Sequence, residues 1–343
     1  MSNDWVNSLL DRLNGGAHTD GGWGYLPAAA PCAEPTALAC LALSSRGIEA
    51  DAFQMSRSPN HSRVVRLIGG LALLARLQRP DGSVSVALNI ESPCWPTGLA
   101  VLAWSFSDSI ADVRPNASRS LAPSLKGDGA ARRWGCLAAP RYRPQTEKAV
   151  DWLLHSSGKP IAPNPTVYGH DTTLRGWSWV ENSHSWVEPT AYAILALRAA
   201  ENAEHRRVRE GVQMIFDRAI PSGGWNYGNK RVFANTLRPF PGPTGIALTA
   251  LAGQPSDPRI DAGIAYLTHE LSRVRAPMSL GWGLIGLTAW NRRPDQASVW
   301  LSECAERALR SAPNAMYDAL LLLADMDPSP IADRLPEVAT TNG

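Results

Sequence analysis

A short motif recurs four times and constrains this chain more than any other feature of its sequence. It reads Glu34-Pro35-Thr36-Ala37, Trp95-Pro96-Thr97-Gly98, Glu188-Pro189-Thr190-Ala191 and Gly242-Pro243-Thr244-Gly245, and a run of small apolar residues follows each copy. Proline suits the first turn of a helix, where its missing N–H group costs nothing. Four copies of one helix-opening motif, here called the Pro-Thr motif, predict a chain built from repeated structural units.

Each copy opens the second helix of a predicted helix–loop–helix unit. The second helices are rich in Ala, Leu, Gly and Thr on all sides, and a helix without a polar face is predicted to be buried. The first helices carry charged residues, and the loops between the two are rich in Gly and Trp. The first helices begin near Trp5, Ser62, Thr146, Glu204, Asp257 and Gln296, and the second near Pro35, Pro96, Pro189, Pro243, Leu284 and Asn314.

Six buried helices surrounded by six amphipathic ones close most simply into an α/α toroid, an all-α fold with an inner and an outer ring of helices. An open α-solenoid is the alternative. The closed form is favoured because there are six units and the sixth is not an obviously polar cap. We predict a single domain over 1–327, with a basic, Pro/Gly-rich insertion at about 107–145, and a polar tail at 328–343. The insertion is either a solvated loop or a lid that contacts an anionic substrate or a membrane surface.

Composition argues against several classes of protein. A formal net charge of +2 gives no argument for a nucleic-acid partner. The sequence shows neither a signal-peptide pattern nor an apolar run long enough to span a bilayer. We therefore expect a cytoplasmic protein; membrane association is not indicated, and the oligomeric state is left open. The five cysteines are odd in number and form no CxxC pair, which is typical of reduced thiols: Cys32, Cys40, Cys94, Cys136 and Cys304.

Thirteen tryptophans against five phenylalanines is an unusual ratio. A tryptophan needs a partner for its N–H group or a pocket to line. Those just before a second helix would converge at one end of a toroid, where aromatic faces stabilise cations. The alternative is that they wedge between repeats, which is the stronger reading for Trp23, Trp225 and Trp282. The predicted substrate-binding residues are Trp95, Trp179, Trp186, Trp177, Glu34 and Trp23.

The Gly-Gly-Trp loops, the segment QRPDGSV at 78–84 and the Glu-Pro-Thr-Ala openings resemble the prenyltransferase and squalene oxidase repeat. The resemblance covers roughly residues 1–105 and 145–325. Squalene-hopene cyclases, class II terpene cyclases and protein prenyltransferase β subunits share this repeat. Gln78 and Gly82 match the QW motif of squalene cyclases, and Val84 replaces its tryptophan. The resemblance implies an α/α toroid; it says far less about activity, because function depends on sites rather than folds.

Class II cyclases carry Asp-x-Asp-Asp before Thr-Ala, and the central Asp protonates an alkene or epoxide. Aligned on Thr190-Ala191, only this central acid is retained, as Glu188, and Glu34 holds the equivalent place in the first unit. The two flanking acids, which tune the donor in the family, are replaced by Trp186 and Pro189. The resemblance thus implies that Glu188 is the proton donor. The alternative is that Glu188 and Glu34 satisfy free N–H groups at the helix starts.

Asp171 and His184 complete the predicted catalytic set. Asp171, beside His170 and Arg175, is a second candidate acid, or else a turn-forming residue in a Gly-rich loop. His184 precedes the Glu188 helix and is a candidate partner for either acid, or else a hydrogen-bonded surface group. No His/Cys/Asp/Glu set has convincing zinc spacing, and no acidic run would hold a magnesium diphosphate. We therefore predict neither a metal nor a cofactor.

The sequence predicts a terpene-cyclase-like enzyme that cyclises an apolar isoprenoid by acid-initiated cationic chemistry in a tryptophan-lined central pocket. The alternative is a non-catalytic protein of the same fold that binds an apolar ligand or serves as a scaffold. A zinc-dependent protein prenyltransferase is disfavoured, because no Asp-x-Cys occurs in the last two units and Cys304 and His269 fall in outer helices. A buried Glu188 facing the cavity favours the enzyme; Glu188 bonded only to backbone N–H groups favours the binding protein.

Overall fold

The computed structural model describes residues 4–46, 59–113 and 142–333, and the regular secondary structure within these ranges is almost entirely helical. Most of the predicted insertion and tail lies outside the described residues, so the division into domains stays a prediction. The elements are α1 (Asp4–Gly16), α2 (Ala33–Ser45), α3 (Pro59–Leu77), α4 (Thr97–Val113), α5 (Arg143–His155), α6 (Val187–Ala199), α7 (Arg206–Asp217), β1 (Arg231–Val232), β2 (Asn235–Thr236), α8 (Pro241–Ala250), α9 (Pro258–Leu271), α10 (Pro277–Thr288), α11 (Ala297–Leu309), α12 (Ala315–Ala324) and α13 (Pro330–Asp333).

The helices form two concentric rings. The even-numbered helices α2 to α12 contact one another in chain order, and α12 returns to contact α2, which closes the inner ring. The odd-numbered helices α1 to α11 pack around it; α3, for example, contacts both α2 and α4. The predicted all-α toroid is therefore confirmed, and the open solenoid is excluded. The strands β1 and β2 form only a two-stranded hairpin in the loop before α8.

Burial follows the predicted difference between the two rings. In α6 every residue from Val187 to Arg198 is buried, whereas the outer helix α7 buries one face and exposes the other. Apolar contact on all sides stabilises an inner helix, and an outer helix needs only one apolar stripe. The predicted tail begins with α13, which packs on α10 through the buried Ile331.

Two arginines of the first unit join it to the last. Arg12 in α1 donates from Nε to Asp318 Oδ2 at 2.8 Å, and the Asp318 side chain is buried. Arg46, at the end of α2, donates to Asp325 Oδ2 at 2.8 Å and to the carbonyl of Leu322. A buried carboxylate needs such a partner. The ring closure between α12 and α2 thus has polar as well as apolar contacts.

The threonine of the Pro-Thr motif fixes each loop to its inner helix. The Oγ1 atoms of Thr36, Thr190 and Thr244 accept hydrogen bonds from the backbone N–H groups of Trp23, Trp177 and Trp225 at 2.8–2.9 Å. In the second unit, Thr97 accepts the equivalent bond from Val84 at 2.8 Å. Each of the three tryptophans donates its indole N–H to a carbonyl near the end of the preceding outer helix, at Leu13, Leu153 and Ile215. These rings therefore wedge outer helix, loop and inner helix together.

Removing this hydrogen bond is expected to destabilise the fold measurably. In Thr244→Val the buried N–H of Trp225 loses its acceptor, and an unsatisfied buried donor costs about 1–3 kcal/mol. Chemical denaturation measures the change. Thr268→Val is the matched control, because Thr268 is exposed on α9 and bonds only to the carbonyl of Ile264. Equal losses in the two variants would contradict the proposed role of the motif.

The fifth unit corrects the predicted boundaries. The inner helix α10 begins at Pro277 rather than Leu284, so Trp282 lies within the helix and not in the turn before it. The Gly-Trp-Gly run resembled the loops of the other units, but the connection from α9 is only 272–276. Its glycines instead serve helix packing: a Cβ at Gly281 would lie 3.1 Å from Leu320 Cβ of α12.

Candidate functional site

The long loops of the toroid gather at the end of the ring where all the inner helices begin. Four connections from outer to inner helix are long, at 17–32, 78–96, 156–186 and 218–240. They touch one another: Ala33 N donates to Val86 O, and Val187 N to Tyr227 O. The predicted site residues lie in these loops or in the first helical turns below them.

Glu34 and Glu188 occupy equivalent positions, each as the second residue of its inner helix. The helix α4 separates α2 from α6 around the ring, yet the charge of Glu34 raises the pKa of Glu188. Burial raises the pKa of the Tyr192 phenol, and the charges of Glu188 and Glu34 raise it further. Tyr192 lies one helical turn after Glu188.

The Glu188 carboxyl is buried and has no hydrogen-bond partner among the described residues. The side chain does not cap α6, and the residue is 6% exposed. Burial raises the pKa of Glu188 to about 8, with a smaller contribution in the same direction from Glu34. Because that value lies above neutral pH, the carboxyl carries its proton there. Helix capping, the alternative drawn from the sequence, does not describe this geometry.

Glu34 differs from Glu188 in having a donor. The phenol of Tyr25 donates a hydrogen bond to Glu34 Oε2, which lowers the pKa of Glu34 while burial raises it more strongly. Glu34 likewise makes no capping bond in α2. A hydrogen bond to the charged form favours ionisation, so Glu34 is the member of the pair that ionises first.

Four aromatic side chains form a row across the inner helices, and Tyr192 is one of them. The Trp95 ring stacks on Tyr192 at a centroid distance of 6.1 Å and meets Trp179 edge-on at 4.6 Å. Tyr192 in turn lies 5.9 Å from Trp282, past the intervening helix α8. Sequence reasoning missed Tyr192, although its position four residues after Glu188 places it on the same helix face. The described aromatic row thus brings together Trp95 and Trp179, as predicted, with Tyr192 and Trp282.

Two cavities open among these loops. One, of about 220 Å³, lies between the second and third units and is lined by Trp95, Trp177 and Trp179. The other, of about 310 Å³, is lined by Trp186, Tyr227 and Phe240 with Arg238 and four further residues. The second cavity lies close to the start of the Glu188 helix, because the N–H of Val187 donates to the carbonyl of Tyr227 at 3.0 Å. Burial, and then the charge of Glu188, raises the pKa of Tyr227.

The remaining predicted binding residues, Trp23 and Trp177, have structural contacts. Trp23 is fully buried, and its indole N–H is bonded to Leu13. The Trp177 ring is also buried, and the guanidinium of Arg207 lies 4.1 Å from its centroid. Trp177 still contributes an edge to the smaller cavity. The wedge alternative therefore accounts for the contacts of both rings.

Asp171 and His184 are not in contact with Glu188 in the described structure. Asp171 is exposed and accepts hydrogen bonds from Thr173 N at 2.8 Å and Thr173 Oγ1 at 2.6 Å, which lower its pKa. This is the geometry of a turn-forming carboxylate, not of a proton-retaining acid. The His184 ring lies 4.3 Å from that of Trp186, and burial lowers its pKa, so it is neutral. Their catalytic roles stay predictions.

The described ranges contain no group of three or more His, Cys, Asp and Glu side chains placed to hold a metal ion. No helix within them is long and apolar enough to cross a membrane.

No protein-family profile matches the sequence, and no curated protein matches it either. Among solved structures, the type II terpene cyclase MstE from Scytonema is 12% identical, with a TM-score of 0.49 over 92% of this chain and 79% of that chain. Salmonella alpha-2-macroglobulin reacted with methylamine is 16% identical, with a TM-score of 0.44 over 97% of this chain and 18% of that chain. A fragment of Escherichia coli alpha-2-macroglobulin is 15% identical, with a TM-score of 0.42 over 93% of this chain and 41% of that chain. Likeness at this level carries no argument, so the fold rests on the helix contacts above.

Proposed function

We propose that this protein is an acid catalyst of cationic isoprenoid chemistry, in which Glu188 protonates an alkene or epoxide of an apolar isoprenoid. The observation that carries the proposal is the Glu188 carboxyl itself. Glu188 is 6% exposed, its carboxyl has no hydrogen-bond partner in the described structure, and burial raises its pKa to about 8. A neutral carboxylic acid largely shielded from water is the group that such a protonation needs.

Glu188 supplies one proton at the start of the reaction, and one proton is released at its end. The Glu188 O–H bond breaks, a C–H bond forms at one alkene carbon, and the other carbon becomes a carbocation. A second alkene of the same molecule attacks that cation, and loss of a proton to the Glu188 carboxylate or to water ends the sequence. The product is an isomer of the substrate, and no redox step is needed. Burial, and then the charge of Glu34, raises the pKa of Glu188 and so disfavours its ionisation before the substrate arrives.

Aromatic faces next to the acid supply the second requirement. Trp95 and Tyr192 stack at 6.1 Å, and Tyr192 lies one helical turn below Glu188. An aromatic face within about 6 Å of a cation is attracted to it, by about 2 kcal/mol or more where water is excluded. These rings support stabilisation of the carbocation that Glu188 would generate.

One observation favours the alternative, an apolar-ligand-binding protein without catalysis. The positions that flank the acid in the class II motif hold Trp186 and Pro189, so no neighbouring carboxyl of that motif can return a proton to Glu188. A binding protein would retain the ligand and form no product. The experiment below separates the two.

The test is incubation of purified protein in deuterated water with isoprenoid alcohols, isoprenoid diphosphates and squalene, followed by mass spectrometry. The expected product is a cyclised isomer that carries a deuteron from solvent. Glu188→Gln is expected to lower turnover by about 10²–10⁴-fold, the usual contribution of a general acid. Glu204→Gln is the control, because Glu204 is exposed between α6 and α7, at the other end of the ring. Ligand binding without product, unchanged in Glu188→Gln, would instead support the binding protein.

A further inference from the structure

The residue before the Pro-Thr pair differs among the four units that carry the motif. It is Glu34, Trp95, Glu188 and then Gly242. The same hydrogen bond to threonine, at 2.8–2.9 Å, sets the rotation of each helix start, so the four positions are equivalent in the ring. Three units have a large side chain at this position, and the fourth has none.

Neither the backbone nor helix packing requires glycine at this position. Gly242 lies in the first turn of α8 and does not adopt a positive φ. Although Gly242 is buried, a Cβ built on it would have only one described atom within 4 Å, the carbonyl oxygen of Met278 at 3.9 Å. Glycine within a helix costs about 0.5–1 kcal/mol relative to alanine. The missing side chain therefore leaves open space at a cost in stability that packing does not explain.

The larger of the two cavities lies at the N-termini of α6 and α8. Trp186 and Phe240, the N-cap residues of α6 and α8, both line the cavity of about 310 Å³. They lie two residues before Glu188 and Gly242. The cavity therefore lies beside the first turns of α6 and α8. These turns carry Glu188 and Gly242. Val187, the residue before Glu188, donates its N–H to the carbonyl of Tyr227 in the cavity wall at 3.0 Å, so the cavity lies next to the start of the Glu188 helix.

We propose that Gly242 is a specificity-determining residue: the space beside it admits the apolar chain of the ligand from the cavity over α6 and α8 to Glu188. This inference rests on the proposed function and adds to it which part of the ring receives the chain. A larger side chain at position 242 would project into that space. The bulk at this position thus sets how long an isoprenoid chain can lie against the acid.

The test uses three isoprenoid alcohols that lengthen by one isoprene unit at a time, geraniol, farnesol and geranylgeraniol, with binding followed by quenching of tryptophan fluorescence. Gly242→Ala, which adds a single methyl group, is expected to weaken geranylgeraniol binding less than Gly242→Leu does. Gly242→Leu is expected to weaken geranylgeraniol binding about tenfold or more, which corresponds to about 1.4 kcal/mol, and to change geraniol binding by less than about twofold. The expected result is therefore a loss that grows with chain length.

A matched control and a stability measurement keep the outcome clear. Gly15→Leu makes the same substitution in α1, at a glycine whose Cβ would have no described atom within 4 Å, and is expected to leave binding unchanged. Gly242→Ala is expected to raise the melting temperature by a few degrees, because it removes a helical glycine into open space. This inference alone would be overturned if Gly242→Leu bound each of the three alcohols as tightly as the wild type does. A melting temperature of Gly242→Ala below that of the wild type would also overturn it. Failure of the wild type to bind any of the alcohols would overturn the proposed function as well.

Discussion

Gly245→Ala is expected to cost about 3 kcal/mol or more of the free energy of unfolding, although it adds a single methyl group. The Cβ of the new residue would lie 2.1 Å from the carbonyl oxygen and 2.3 Å from the carbonyl carbon of Trp282. Both atoms belong to the backbone of α10, so no side-chain rotation relieves the clash. The inner helices α8 and α10 would have to separate, and the aromatic contact between Trp282 and Tyr192 would separate with them.

Denaturant unfolding of Gly245→Ala measures this effect, and Gly242→Ala is its control on the same helix. The two variants add the same atom three residues apart. One adds it against backbone at 2.1 Å and the other into space whose nearest described atom is 3.9 Å away. Opposite signs of the stability change are expected. A loss of less than about 1 kcal/mol in Gly245→Ala would contradict this prediction, because it would show that α8 and α10 separate at little cost.

The second large effect is a loss of stability with rising pH that depends on Glu188. Its pKa is about 8 in the folded protein, against an ordinary value of 4.5. Below pH 4.5 the group is protonated in both states. As the pH rises toward 8 the unfolded chain releases this proton and the folded protein keeps it, so folding becomes less favourable. The expected slope is about 1.4 kcal/mol per pH unit, which reaches roughly 4–5 kcal/mol in total across the window.

The measurement is the difference in unfolding free energy between wild type and Glu188→Gln across pH 4 to 9 (roughly the window set by the linkage relation). Taking the difference removes the contribution of exposed carboxylates such as Asp171 and Asp257, whose lowered pKa values act in the opposite direction. The unfolding free energy of Glu188→Gln is expected to increase relative to that of the wild type as the pH rises. A difference that stays flat with pH would show that Glu188 ionises normally in the folded protein and would remove the basis of the proposed acid role.

The fold was predictable because its determinants are local and repeated. Proline and threonine at the start of an inner helix specify a helix boundary and a hydrogen bond to the loop, and both are visible in four copies. The error in the fifth unit arose where the local signal was ambiguous. Gly281-Trp282-Gly283 has the composition of a loop, and it is helical because glycine lets α10 approach its neighbours.

The candidate site was predictable only in part, because its properties depend on contacts across the ring. The position of Glu188 follows from its motif. That Glu34 raises the Glu188 pKa across α4 follows only once the ring is closed. Tyr192 lies in a helix whose composition indicates burial and nothing more. Gly242 reads as one more small residue of an inner helix, and its meaning lies in the space around it, which no local pattern encodes.

Closure of the inner ring also has a consequence for biosynthesis. The helix α2 is buried partly against α12, whose first residue is Ala315. At a synthesis rate of about 5–20 residues per second, α2 waits roughly 15–60 s on the ribosome before that partner exists. Throughout this interval an apolar helix face without a partner is accessible to other chains. Nascent protein is therefore expected to need a chaperone until its last unit emerges, and low temperature during expression is expected to raise the yield of folded protein.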